Sequence, residues 1–148
     1  MAYDNTQVAV SKSQDAIRKL VYSHQGTGVM LISRAPHEGF EAMVTIEKQS
    51  YHLRVMAICK DVSKDRNGFI RSDSAKANAV EQENRRVWRV LYWHLKAMFE
   101  AADSGVIDVR NVIMPYVVLK DGRTLAEHVI PRMPELMEMS TTERLLTA

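Results

Sequence analysis

The sequence contains one cysteine, four prolines and six glycines among 148 residues, and it has no long uninterrupted apolar segment. Cys59 has no second cysteine to pair with, so the chain is not a disulfide-stabilised scaffold. A membrane-spanning helix needs about 18 apolar residues without charges, and no such stretch occurs. The formal net charge of +2 is too small by itself to indicate nucleic-acid binding.

The N-terminal residues MAYDNTQVAV lack the basic start and the apolar core of a signal peptide. We therefore expect a protein of a reducing, cytoplasmic compartment that does not contact membranes. A composition of 46% hydrophobic and 26% charged residues is typical of a folded domain and excludes a disordered chain. At this length, residues 1–148 are expected to form a single domain with its own core.

The motifs of the common catalytic and cofactor sites are also missing. Gly26-Thr27-Gly28 lacks the third glycine of a dinucleotide-binding loop, and neither Gly-Lys-Ser/Thr nor Gly-x-Ser-x-Gly occurs. The five histidines show no metal-ligand spacing, either among themselves or with Cys59. We therefore predict a protein that is not an enzyme, with no catalytic residue, no metal and no cofactor.

The first part of the chain favours a short strand and a helix. Residues 7–10 are compatible with a strand, and Ser11 and Gln14 have the spacing of a capping box that begins a helix. Apolar residues at helical spacing indicate the buried face: Ala16, Ile17, Leu20 and Val21. Gly26 or Gly28 is expected to end this helix.

A meander of three antiparallel strands is predicted next. Residues 29–32 form an apolar run, and apolar side chains alternate over 40–47 and over 51–59. Met56 and Ile58 make the second face of the last strand apolar as well. This pattern favours a central position for that strand.

The second half begins with a charged loop at 60–78, predicted to be flexible, and continues with a long helix from about 75 to 103. Residues 106–114 are ambiguous between a strand and a short helix. Thr124 and Glu127 have capping-box spacing, and two prolines interrupt the helix that follows. Residues 135–148 are expected to form a loosely ordered tail.

Together these elements predict an α+β fold. We expect an antiparallel sheet of three or four strands with two helices packed on one of its faces. A short C-terminal helical extension completes the domain.

Two sequence blocks resemble a family of small proteins encoded by tailed phages. The first block is Arg-Arg-Val-Trp-Arg at 85–89, continuing to Ser104-Gly105. The second covers 116–124, with Leu-Lys-Asp-Gly-Arg-Thr at its end. The order of elements is similar over most of residues 7–130, whereas loop 60–78 and the proline-containing C-terminal helix depart from the family. The resemblance implies a phage accessory protein in a host cell, and it supplies neither an activity nor catalytic residues.

Basic and aromatic residues concentrate in one region of the chain. Residues 60–96 hold nine lysines and arginines against five acids, a local charge of +4. The residues predicted to contact single-stranded nucleic acid are Lys64, Arg66, Arg71, Arg85, Arg89, Tyr92, Trp93 and Lys96. Guanidinium groups would hold phosphates, and the aromatic rings would stack on unpaired bases. Alternatively, this region is only a solvated helix face.

Two functions therefore remain open. The first is single-stranded DNA binding during phage replication or recombination. The alternative is binding to a host or phage protein, as an inhibitor or adaptor, or self-assembly into a homo-oligomer. Nine methionines suit an adaptable apolar surface, and edge strands can pair between copies.

Overall fold

The computed structural model describes residues 2–138, which adopt an α+β fold. In chain order the elements are α1 (Val10–Ser23), β1 (Gly26–Arg34), β2 (His37–Ile46), β3 (Gln49–Ile58), α2 (Asp73–Asp103), α3 (Val109–Ile113) and α4 (Leu125–Val129). Short 3-10 turns at Met114–Tyr116 and Ile130–Arg132 follow α3 and α4. The predicted fold class is confirmed: α1 and α2 pack on one face of a three-stranded antiparallel sheet.

The segment before α1 is not a strand, which corrects the prediction for residues 7–10. Residues 6–9 have no regular structure, and the helix begins directly after them. The amide nitrogen of Gln82 on α2 donates to the carbonyl oxygens of Asp4 and Thr6, at 2.8 and 3.1 Å. Because α2 binds these backbone groups, the segment lies against the helices and does not join the sheet.

Helix α1 begins one residue before Ser11, so the capping box predicted for Ser11 and Gln14 does not form. The predicted core face is correct, since Ile17 and Val21 are fully buried. The chain turns into β1 before the glycines, which lie in the strand and do not end the helix. A Cβ atom at Gly26 would lie 2.6 Å from the carbonyl oxygen of Val21. The close approach of helix and strand therefore requires glycine at this position.

The strand order is β1-β2-β3, so β2 is central and the prediction that placed the last strand in the centre is wrong. The apolar pair that suggested burial is exposed, with Met56 at 37% and Ile58 at 69% of their full accessibility. Both side chains lie on the sheet face opposite the helices. Within residues 2–138 no helix packs on this face, which also exposes Met30 and Met43 and where Arg54 donates to the Gly122 carbonyl at 2.8 Å. An apolar but uncovered face has the same sequence pattern as a buried one.

The core lies between the sheet and the two helices. Its buried residues form one contact cluster: Ile17, Val21, Phe40, Ala42, Val44, Leu53, Val55, Val87, Trp88, Leu91, Leu95, Met98, Phe99 and Ile113. Half of these side chains come from α2 or from α3, which follows it. The apolar spacing of the long helix predicts a core-facing stripe that begins at Val80 and ends at Ala102. The stripe is buried from Val87 to Phe99, whereas Val80 is 41% exposed.

Helix α2 begins within the predicted charged loop. The Ser72 hydroxyl accepts a hydrogen bond from the Ala75 N–H at 3.3 Å and so acts as the N-cap. The loop that remains before Ser72 is closed by internal hydrogen bonds. The Asp65 carboxylate accepts from the backbone N–H groups of residues 67 and 69, and the Arg71 N–H donates to the Ser63 carbonyl.

The C-terminal extension consists of short helices. Asp108 caps α3, so the ambiguous stretch 106–114 contains a short helix at 109–113 and no strand. The predicted capping box of Thr124 and Glu127 is confirmed, with both of its hydrogen bonds formed. Residues 133–138 are helical after the second 3-10 turn. The remainder of the predicted tail, 139–148, lies outside the described residues.

Gly39 is a buried glycine of the central strand, and its replacement tests the packing of β2 against β3. A Cβ atom there would lie 2.6 Å from the Met56 sulfur and 2.9 Å from the Met56 Cα. Gly39→Ala is expected to lower the free energy of unfolding by about 2 kcal/mol, measured by urea denaturation.

Gly28→Ala on β1 is the matched control. A Cβ atom at Gly28 meets no atom of the described chain within 4 Å. This change should alter stability by less than about 0.5 kcal/mol. Equal effects of the two substitutions would contradict the proposed close contact at Gly39.

Candidate nucleic-acid interface

Four of the predicted contact residues form one continuous cluster on α2. We call Arg89, Tyr92, Trp93 and Lys96 the cationic ridge. The Arg89 guanidinium carbon lies 4.5 Å from the centre of the Tyr92 ring and 5.7 Å from that of Trp93. The Lys96 ammonium lies 4.7 Å from the centre of the Trp93 ring. The cations are thus attracted by the aromatic rings, and the cluster remains accessible at Trp93, which is 38% exposed.

The two aromatic rings of the ridge differ in how they meet solvent. Tyr92 is half-buried and packs against the core, and Arg89 lies over its ring. Trp93 is exposed and meets Tyr92 edge-on, with ring centres 5.2 Å apart. This geometry makes Trp93 the candidate for base stacking. Tyr92 is better suited to supporting the guanidinium of Arg89.

Arg85 is held by its neighbours. Its guanidinium donates twice to the side-chain oxygen of Gln82, at 3.1 and 2.6 Å, and it is half-buried. Gln82 in turn holds the N-terminal segment through its amide nitrogen. Arg89 also approaches α1, with a donor 3.4 Å from the hydroxyl of the buried Ser13. Both arginines therefore link α2 to the N-terminal part of the chain as well as presenting charge.

The three loop residues have different positions. Lys64 and Arg66 are exposed on the closed turn. Arg71 is half-buried, and its side chain donates to the Lys64 carbonyl at 3.3 Å. A groove of about 470 Å³ is lined by Arg71 together with Gln82 and other residues of α2. Neither Lys64 nor Arg66 lines this groove. The structure thus places Arg71 next to the helix that carries the ridge, and leaves the other two on the turn.

A buried carboxylate on α2 fixes the start of the loop, and no sequence pattern predicts its burial. Glu83 is 4% exposed, accepts from the Lys60 N–H at 2.7 Å and pairs with the Arg86 guanidinium. Burial alone would raise the pKa of Glu83, but the hydrogen bonds from Arg86 and Lys60 outweigh it and lower that pKa. Arg86 is consequently committed to a buried ion pair and is not a ridge cation.

A second charged group lies on the uncovered sheet face. The Glu41 carboxylate accepts from His52 at 2.6 Å and from Arg54 at 2.7 Å. Burial raises the pKa of Glu41, yet these two hydrogen bonds have the larger combined effect and the pKa is lowered. Sequence alternation places these residues on one face, and antiparallel pairing sets Glu41 opposite Arg54. That register was the signal that could have revealed them.

Among the described residues, no group of three or more His, Cys, Asp or Glu side chains is arranged to hold a metal ion. No helix within residues 2–138 is both long enough and apolar enough to cross a membrane. Cys59 lies beside the Asn84 side-chain oxygen, 3.6 Å from its sulfur. Burial raises the pKa of the Cys59 thiol, and the nearby charges of Glu38 and Glu83 raise it further. A thiol so disposed is a poor nucleophile at neutral pH.

The sequence matches no protein-family model and no curated protein, and the structure matches no solved structure. The phage resemblance of residues 85–105 and 116–124 therefore stays a prediction.

The buried ion pair of Glu83 predicts a pH-dependent stability. Because its pKa is lowered in the folded protein, the carboxylate stabilises the fold at neutral pH and loses this effect as acid protonates it. Glu83→Gln is expected to lower the free energy of unfolding by about 2 kcal/mol at pH 7. The difference from the parent protein should shrink below about pH 5.

Glu81→Gln, at an exposed position two residues earlier on α2, is the control and should have little effect at any pH. Chemical denaturation at a series of pH values measures all three proteins. A Glu83→Gln deficit that stays constant from neutral to acidic pH would contradict the ionised pair.

Proposed function

We propose that this protein is a non-catalytic accessory protein of phage type that binds single-stranded nucleic acid, single-stranded DNA in particular. The supporting observation is the cationic ridge, in which the Arg89 and Lys96 cations each lie within 6 Å of the ring centre of the exposed Trp93 indole. The ridge residues occupy little more than two helical turns of α2, a length of about 10 Å. A surface of this size suits contact with a few nucleotides.

The ridge supplies two kinds of contact that single strands require. Arg89 and Lys96 offer charge-assisted hydrogen bonds to phosphates. Trp93 offers a flat apolar surface on which an unpaired base can stack, worth about 1–3 kcal/mol per base. A duplex keeps its bases stacked inside, so it gains only the phosphate contacts. Preference for single strands is therefore expected.

The local charge favours an anionic partner, although acidic side chains partly offset it. Glu100 approaches Lys96 at 3.9 Å, and this exposed pair is weak. Arg71 and the exposed Lys64 and Arg66 of the turn add positive charge beside the N-terminal half of α2.

Replacement of the ridge residues tests this function. Trp93→Ala is expected to weaken binding of a fluorescent oligo-dT about tenfold, because one stacking contact is lost. Lys96→Ala should reduce the salt dependence of binding by about 0.7 in the slope of log K against log salt, the value for one phosphate contact. Fluorescence anisotropy at two salt concentrations measures both variants against the parent protein.

Lys19→Ala, at an exposed position of α1, is the charge-matched control and should bind as the parent protein does. Thermal unfolding of each variant separates a lost contact from a lost fold. The proposal is wrong if the parent protein fails to bind oligo-dT at low salt, or if the Trp93 and Lys96 variants bind as tightly as the control.

Self-association is the second candidate function, and the edge of β1 favours it. Within the described residues β1 pairs only with β2, so its outer edge presents unpaired backbone groups. The strand carries no charge from Gly26 to Ser33, although exposed edges usually carry protective charges. Two copies could pair β1 with β1 in antiparallel fashion about a twofold axis, giving one six-stranded sheet.

Met30→Lys tests this pairing, since Met30 is 56% exposed on β1 and a lysine on an edge strand opposes association. We expect sedimentation to show a dimer for the parent protein and a monomer for the variant. Met56→Lys on β3 is the control, because it adds the same charge to the same face away from that edge. A parent protein that stays monomeric at high concentration would exclude the edge-paired dimer.

A further inference from the structure

A cavity lies beside the N-terminal half of α2, between that helix, the β1–β2 turn and the segment after β3. Its volume is about 430 Å³, within the range of small-molecule sites. Its apolar walls are formed by Pro36, Val62 and Val80. None of the cationic ridge residues lines it.

Glu38 is the unusual residue of this cavity. It is 5% exposed, and its Oε1 accepts a hydrogen bond from the Ser33 hydroxyl at 2.8 Å. Its Oε2 is buried and has no hydrogen-bond partner in the described part of the chain. A buried carboxylate oxygen without a donor is costly, and folded proteins rarely tolerate one. The position therefore calls for a donor from outside the chain.

The other polar residues of the cavity divide into an inner and an outer group. Glu38 and Glu83 are buried, and the Glu83 oxygens are occupied by Lys60 N–H and Arg86. The Lys60 and Lys76 side chains are on exposed residues. The cavity thus has an acceptor inside, apolar walls, and two cations at its opening, Lys60 and Lys76. The exposed carboxylate of Asp61 also lies at this opening and partly offsets their charge.

A matching ligand has an N–H donor at one end, a flat apolar body and an anion at the other end. We propose that the cavity binds a nucleoside monophosphate whose base carries an exocyclic amino group. The amino group of cytosine, adenine or guanine would donate to Glu38 Oε2. The base would lie against Pro36, Val62 and Val80, and the phosphate would meet Lys60 and Lys76. Thymine has no exocyclic amino group. Its only ring donor, N3–H, lies between two carbonyl oxygens that the Glu38 carboxylate would repel, so thymine should bind more weakly.

This inference is independent of single-stranded DNA binding by the ridge. The ligand could be a free nucleotide or the terminal nucleotide of a strand, and the chemistry recognised is the same. The binding requires no covalent step. Cys59 lines the cavity as a thiol whose raised pKa keeps it protonated, so it acts as a wall and not as a nucleophile.

The first experiment titrates the full-length protein with dCMP, dAMP, dGMP and dTMP, followed by amide chemical shifts. We expect saturable shifts at Lys60, Val80 and Asn84 with the three amino-bearing nucleotides, and about tenfold weaker binding of dTMP. Absence of saturable shifts with all four nucleotides overturns the proposal. Equal binding of dTMP and dCMP overturns it as well, because Glu38 would then not read the amino group.

Two variants assign the two ends of the ligand. Glu38→Gln keeps the shape of the side chain but replaces part of its acceptor, and it should abolish the preference for dCMP over dTMP. Lys76→Ala should weaken dCMP about tenfold while leaving the nucleoside deoxycytidine unaffected. Lys120→Ala, at an exposed position outside the cavity lining, is the control. Unchanged dCMP binding in both Glu38→Gln and Lys76→Ala overturns the assignment.

The free energy of unfolding of Glu38→Gln shows whether a change in its nucleotide binding results from a misfolded variant. Because Glu38→Gln removes a buried charge with an unpaired oxygen, the variant should be at least as stable as the parent protein. A strongly destabilised Glu38→Gln would show that Glu38 has a structural partner, and it would overturn the reasoning from the unpaired oxygen.

Further binding measurements distinguish a free nucleotide from a strand end as the ligand, and they distinguish the cavity proposal from the ridge proposal. A dC tetramer with a 5′ phosphate is compared with the same tetramer without it, and with free dCMP. Strongest binding of the phosphorylated tetramer identifies a strand end, and strongest binding of dCMP identifies a free nucleotide. Trp93→Ala should leave dCMP affinity unchanged, so failure of the ridge proposal and failure of the cavity proposal give different results.

Discussion

The hydrogen bonds of the buried Glu83 carboxylate are the interaction on which the surroundings of the groove and the cavity depend. The carboxylate joins α2 to the segment after β3, because its oxygens accept hydrogen bonds from the Lys60 N–H and from the Arg86 guanidinium on the same helix. This single group fixes where the chain leaves the sheet, and so forms one wall each of the groove that contains Arg71 and of the cavity that contains Glu38. A buried carboxylate is tolerated here because donors satisfy both of its oxygens. The neighbouring Glu38 lacks that complete set of donors, and the contrast is what distinguishes a structural acid from a candidate binding residue.

The sequence predicts the fold through periodicity, and its errors have a common cause. The alternation over β2 and β3 and the stripe from Val87 to Phe99 report burial directly, so the sheet and the long helix were predictable. Residues 7–10 and the Met56–Ile58 pair were misassigned because their surroundings come from distant parts of the chain. The N-terminal segment is bound by Gln82, and the outer face of β3 is uncovered within the described residues. Local patterns cannot show which neighbour a segment will have.

The residues of the candidate site were likewise predictable where their neighbours are local in sequence, and unpredictable where their neighbours are distant. Spacing along α2 places Arg89, Tyr92 and Lys96 on one face, because helical geometry is local, but it assigns Trp93 to an adjoining face. In the structure the Trp93 ring lies beside both cations. Spacing treats Arg85 and Arg89 alike, however, although Arg85 is held by Gln82 while Arg89 lies over two aromatic rings. Glu38 is invisible in the sequence, where it looks like a solvated charge beside a turn. Its burial arises only when β2, the β1–β2 turn and α2 come together, and no spacing rule connects residues 38, 60 and 83.

The two tryptophans lie five positions apart on α2, yet they occupy opposite environments. Trp88 is 1% exposed within the core, whereas Trp93 is 38% exposed on the ridge beside two cations. The chain therefore carries two natural fluorophores that are expected to emit at different wavelengths. The emission of the buried indole follows the integrity of the core, and the emission of the exposed one follows whatever approaches the helix surface. Loss of structure and occupation of the ridge can thus be distinguished optically in the unlabelled protein.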